Sequence, residues 1–160
     1  MPELTIESNG RLEKTAIYFN GEQLDKIREI FLNLDESGTF DAVIQYLGSD
    51  GTVYTKNVFT DYLENVRTEP PGFTEEEAQH LQSVTLDSDG EITRTIVLRN
   101  GNEEGGIVSL FVHIKAPTVE EGGGIAAFFG GKRNIEERPT FKAEVVYRED
   151  DGSLTTESLF

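Results

Sequence analysis

The sequence predicts an all-β chain, built by tandem duplication of a five-stranded unit of about 55–60 residues and closed into one β-sandwich with pseudo-twofold symmetry. Three observations predict it. Shifted by 80 places, Leu-Thr-Ile-Glu-Ser-Asn-Gly (Leu4 to Gly10) falls on Val-Thr-Leu-Asp-Ser-Asp-Gly (Val84 to Gly90), and the match runs on without a gap to Leu34 on Ile114. Shifted by 101 places, Thr39 to Phe59 falls on Thr140 to Phe160, so the second copy carries 21 extra residues inside Lys115 to Pro139, where the first has only Asp35 to Gly38. The third observation is size. A lone domain of roughly 60 residues buries little of its surface and is marginal, so the copies are expected to share a core. Two small barrels side by side are the alternative arrangement.

In chain order, residues 4–7 and 15–19 read as strands. Ser8-Asn9-Gly10 and Asn20-Gly21 supply turns that tolerate positive φ, and the second copy keeps both signals. Lys26 to Leu34 has helix-forming composition, but its counterpart, Gly106 to Ile114, is β-branched and opens on glycine; if the copies share a fold, both are strands. Alternation then puts Arg28, Ile30, Leu32 and Leu34 on the core face, matching Val108, Leu110, Val112 and Ile114. The opposite face carries Phe31 in one copy and Phe111 in the other, which suggests that these faces meet each other or a partner. Phe40, Ala42, Ile44 and Tyr46 form the next inward row, repeated as Phe141, Ala143, Val145 and Tyr147. A hairpin through Gly48 to Gly51, or Glu149 to Gly152, leads into a last strand. Between the copies, Pro70-Pro71-Gly72 breaks regular structure, and Thr74-Glu-Glu-Glu77 reads as a capping box opening a short helix to about Gln82. The domain reading is therefore 1–59 for the first repeat, 60–82 for the connector, and 83–160 for the second repeat with its inserted loop 115–139.

A net charge of −16 argues against binding a nucleic-acid backbone or an anionic membrane surface. The chain has no cysteine, which excludes disulfides and thiol chemistry. Its first residues lack the basic flank and apolar run of a signal peptide, and no apolar stretch approaches the roughly 20 residues that span a bilayer. A soluble cytoplasmic protein is the expectation.

Ser8-Asn-Gly10, Thr15 to Gly21 and Ile27 to Leu34 together resemble a pattern in small β-rich accessory proteins of phages and prophages. The resemblance mainly covers residues 4–34 and recurs more faintly at 84–114. It implies a bacterial cytoplasm and an accessory or anti-defence role, and transfers no functional residue.

The insertion is the leading candidate site, because it is what one copy adds and because loops on a rigid scaffold often carry binding. It is rich in glycine, holds four of the fourteen cations, and presents Ile125, Phe128 and Phe129, apolar groups that must be covered by the protein itself, by another subunit or by a partner. Those three, with Phe31 and Phe111, are the expected partner-binding residues of a non-enzymatic interaction protein, either with a foreign protein or in a homo-oligomer. Removing Thr118 to Glu137 should leave the fold intact while changing assembly or binding. An alternative ligand site would use Gly130, Gly131, Lys132, Arg133 and Arg138 to sequester a phosphorylated, nucleotide-like molecule. A phosphate-loop match fails on spacing, since Ala126 stands where its first glycine belongs and Arg133 where its hydroxyl does. A third reading, an acidic mimic of nucleic acid, rests on charge alone. With only His80 and His113 and no nucleophile motif, no catalytic residue, metal ligand or cofactor is predicted. His80 reads as solvated, and His113 as a buried hydrogen-bonding group where the copies meet. Asp87 to Gly90 and Glu149 to Gly152 lack the ligand spacing of a calcium loop and read as turns.

Overall fold

The strands follow from where the chain alternates and where it can turn. The computed structural model describes residues 2–116 and 139–160. β1 (Glu3–Ser8) and β2 (Thr15–Phe19) flank a single 3-10 turn, and β3 (Glu22–Asp25) returns through Asn20-Gly21. Both turn residues have positive φ, 52° and 84°, the demand of a two-residue hairpin whose twist suits its strands. β4 (Ile27–Asp35), β5 (Phe40–Leu47) and β6 (Val53–Asn57) complete the first half. β7 (Arg67–Glu69) and α1 (Glu75–Ala78) lie in the connector. The second half repeats the pattern as β8 (Gln82–Asp87), β9 (Ile96–Arg99), β10 (Asn102–Glu103), β11 (Ile107–Lys115), β12 (Thr140–Arg148) and β13 (Leu154–Ser158).

All sheet pairings are antiparallel, and the strands form two sheets around one core. One sheet runs β10-β9-β8-β1-β2-β3-β7, the other β13-β12-β11-β4-β5-β6. The halves therefore meet at two seams, β1 against β8 and β4 against β11. At the first seam Thr5 faces Thr85, 80 residues on, with their hydroxyl oxygens 2.8 Å apart. At the second, Leu32 faces Val112, again 80 residues on.

The predicted core rows are inside except at their ends, where Phe40, Phe141 and Tyr147 are only partly buried against the core. Ile30, Leu32, Leu34, Leu110, Val112 and Ile114 are buried, as are Ala42, Ile44, Tyr46, Ala143 and Val145, and they pack on Leu4, Ile6, Val84 and Leu86 from the other sheet. Arg28 and Val108 depart from that prediction. The register shifts by one residue between Ile27 and Glu29, and between Ile107 and Ser109, so strict alternation fails there and both side chains are half-buried. Among the described residues each half has six strands rather than five, since β3 and β10 are too short and polar to stand out in the sequence. The Thr74–Glu77 capping box is formed on both sides, but the helix ends at Ala78, because Gln82 already belongs to β8. No helix among the described residues is long and apolar enough to cross a membrane.

Candidate functional site

The seam between β4 and β11 brings Phe31 and Phe111 together on the outer face of the six-stranded sheet. Glu36 N–H donates to Val108 and Ala116 N–H to Arg28, which makes the even-numbered pairs the hydrogen-bonded ones. Phe31 thus faces His113, and Phe111 faces Asn33, across the closer, non-hydrogen-bonded positions of the ladder. The Phe31 and Phe111 ring centroids lie 5.6 Å apart at 89°, an edge-to-face contact. Phe31 meets the His113 ring at the same centroid distance, 5.6 Å and 80°. Lys142, from β12, sets its ammonium 5.4 Å from the Phe111 centroid.

His113 Nε2 stands 2.6 Å from Glu29 Oε2, with both side chains 29% exposed. An ionised carboxylate only accepts, so Nε2 carries the proton in this bond. His113 lies at the junction of the halves and is hydrogen-bonded, as predicted, but it is half-buried on an outer face rather than enclosed. His80 is exposed just beyond α1. The two phenylalanine faces do not pack on each other as expected: β4 and β11 are neighbours in one sheet, so the faces are continuous and the two rings touch edge to face. Ile125, Phe128, Phe129, Gly130, Gly131, Lys132, Arg133 and Arg138 all lie outside the described residues. Sequence reasoning did not find Glu29 and Lys142 as neighbours of the ring pair; the antiparallel seam brings them there, and periodicity within one strand carries no sign of it.

The turn readings hold. Asp89 accepts the Glu91 N–H and pairs with Arg94, and Asp151 accepts from the Ser153 amide and hydroxyl. Among the described residues no group of three or more His, Asp or Glu side chains is placed to hold a metal ion.

Two clefts open between the sheets, one in each half. The first, of about 250 Å³, is walled by Leu12, Ile17 and Ile27 and closed across the β4–β11 seam by Ile114. The second, of about 300 Å³, is walled by Ile92, Val97 and Ile107 and closed by Leu34. Every one of those residues has its counterpart 80 places away in the other cleft.

The last strands of the halves differ in their surroundings. Val58 N–H donates to Ala42 and Gly48 N–H to Thr52, so Val53, Thr55 and Asn57 point their amides away from β5. The connector reaches that edge at its far end, where Asp61 accepts the Asn57 N–H, while Glu64 pairs with Lys56 and Asn65 bonds the Tyr54 hydroxyl; Val53 and Thr55 stay exposed. On β13 the same rule turns Leu154, Thr156 and Ser158 outward, and no hydrogen bond among the described residues satisfies those amides.

No protein-family model, curated protein or solved structure matches the chain.

Proposed function

We propose that this protein is a non-enzymatic interaction protein, and that the outer face of the six-stranded sheet around Phe31 and Phe111 is a contact surface for another protein. The observation that carries this reading is an aromatic pair held at the middle of a sheet face, with a cation over one ring and a hydrogen-bonded imidazole against the other. Aromatic side chains of fixed orientation are what well-packed interface centres are made of. A foreign protein is favoured over a second copy, because two bodies of charge −16 repel one another.

The same reading takes the chain as a tandem duplication with a pseudo-twofold axis through both seams. Its support is the mirrored strand order, the self-matching pairs Thr5–Thr85 and Leu32–Val112, and the ungapped sequence match at the same offset of 80.

The test replaces Phe111 in the full chain by a photo-crosslinking phenylalanine analogue, with Tyr62, 80% exposed on the connector, as the control position. The expected result is one discrete adduct from position 111 and none from 62. The purified adduct partner should then lose roughly tenfold or more in affinity for the Phe31→Ala protein. A partner that binds Phe31→Ala and Phe111→Ala as tightly as the unaltered protein would remove this face from the reading. An adduct of twice the 17.8 kDa chain mass would replace the foreign protein by a second copy.

A further inference from the structure

The two clefts are the same pocket by position but carry different charges, and the difference points to a ligand. In the first cleft the chain supplies its own cations: Lys26 and Arg28 line it together with Glu29 and Glu69. In the second, the places of Lys26 and Arg28 are taken by Gly106 and Val108, while Asp35, Glu36, Glu103 and Glu104 line the rim. Two of these carboxylates are engaged within the fold. Asp35 accepts from the Ser37 hydroxyl and the Thr39 amide, which holds it below the usual carboxylate range. Glu36 forms a two-pronged pair with Arg148. Glu103 and Glu104 have no side-chain partner among the described residues; Glu103 faces Leu98 on the outer side of the sheet, whereas Glu104 sits opposite Val97 on the inner side, at the apolar wall of Ile92, Val97 and Ile107. The cleft therefore has an apolar floor, unpaired negative charge at its mouth, and space where its twin keeps cationic side chains.

We propose that this second cleft binds a lysine or arginine side chain presented by a partner protein. The aliphatic stem lies on the isoleucine and valine wall, and the cationic head meets Glu104, in a cleft whose counterpart is lined by the chain's own Lys26 and Arg28. A volume of about 300 Å³ suits one side chain and is at the small end of ligand sites. The inference is independent of the aromatic face.

The experiment is a nitrogen-15 amide titration of the full chain with n-butylammonium, with 1-pentanol as the neutral match and a blocked Gly-Lys-Gly peptide as the presented side chain. Saturable shifts are expected at Ile92, Val97 and Ile107 and not at Leu12, Ile17 and Ile27. The ammonium should bind roughly tenfold tighter than the alcohol; Glu104→Gln should remove that advantage and Glu103→Gln, on the outer face, should leave it. Val108→Arg, which restores the residue of the first cleft, should block the site without touching either carboxylate. Equal binding of alcohol and ammonium, shifts spread unsaturably over the acidic surface, or undiminished binding to Val108→Arg would each overturn the proposal. Binding of butylammonium with exclusion of the peptide would overturn the side-chain assignment in favour of a free amine.

Discussion

Phe31 and Leu32 are neighbours in sequence with opposite surroundings, and replacing each by alanine tests the architecture. Leu32 is 0% exposed, faces Val112 at the second seam and sits in the shared core. Its truncation leaves a cavity in both halves at once and is expected to cost about 2–5 kcal/mol. At about 2–4 °C per kcal/mol for a chain of this length, the thermal midpoint should fall by about 4–20 °C. Phe31 is half-buried on the outer face and loses one edge-to-face partner and a cross-strand neighbour, so Phe31→Ala should cost only about 1 kcal/mol. The assay is urea unfolding followed by far-ultraviolet circular dichroism and by tyrosine fluorescence, since the chain has five tyrosines and no tryptophan. Both signals should move together in a single transition, because neither half has a core of its own. Two separated transitions, or a Leu32→Ala cost no larger than that of Phe31→Ala, would refute the shared core and with it the assignment of inner and outer faces.

Tyr46 is fully buried and donates its hydroxyl to the Glu64 carbonyl at 2.8 Å, so Tyr46→Phe should destabilise by about 1 kcal/mol in the same urea assay, through the orphaned carbonyl. Burial, with neighbouring Tyr54 and Glu64 adding to it, pushes the Tyr46 phenol from 10.0 up to about 12. A raised folded value means that stability present below pH 10 is lost as pH rises from 10 towards 12; unfolding midpoints across that range should fall, and should fall less in Tyr46→Phe. Hydrogen exchange should show the Asn57 amide, bonded to Asp61, at least roughly tenfold slower than the Ser158 amide on the open edge of β13. Ser88 is fully buried, pairs with the Thr95 hydroxyl and accepts the Gly90 amide, so Ser88→Ala should cost about 1–3 kcal/mol, and Ser8→Ala the same, since Ser8 makes the equivalent bonds to Thr15 and Gly10.

The strands were legible wherever apolar residues alternate over several positions, as in Ile30 to Leu34 or Ala42 to Tyr46. Lys26 to Leu34 was legible only because its counterpart at Gly106 to Ile114 excludes a helix. β3 and β7 were not, because Glu-Gln-Leu-Asp and Arg-Thr-Glu have no pattern of their own: β3 is held between β2 and β7, and β7 pairs, among the described residues, only with β3. Phe31 and Phe111 were identifiable as matched aromatics on a mixed face. Their contact was not, because which strands become neighbours depends on closure of the whole sheet. The clefts were the least legible feature: each draws its lining from both halves, so Leu34 and Ile107 become neighbours only when the seam forms.

The seams also determine what one half could do alone. Separated from its sequel, the first half would leave β1 and β4 with bare edges in both sheets, and the surface that fits those edges is a half of the same kind. Such a fragment would have every reason to pair with itself, and the pair would carry two identical clefts by symmetry. Holding both halves on one polypeptide removes that obligation. Lys26 and Arg28 can occupy one cleft while Gly106 and Val108 leave the other acidic, so a molecule with mirrored strand order approaches its surroundings with two unlike ends.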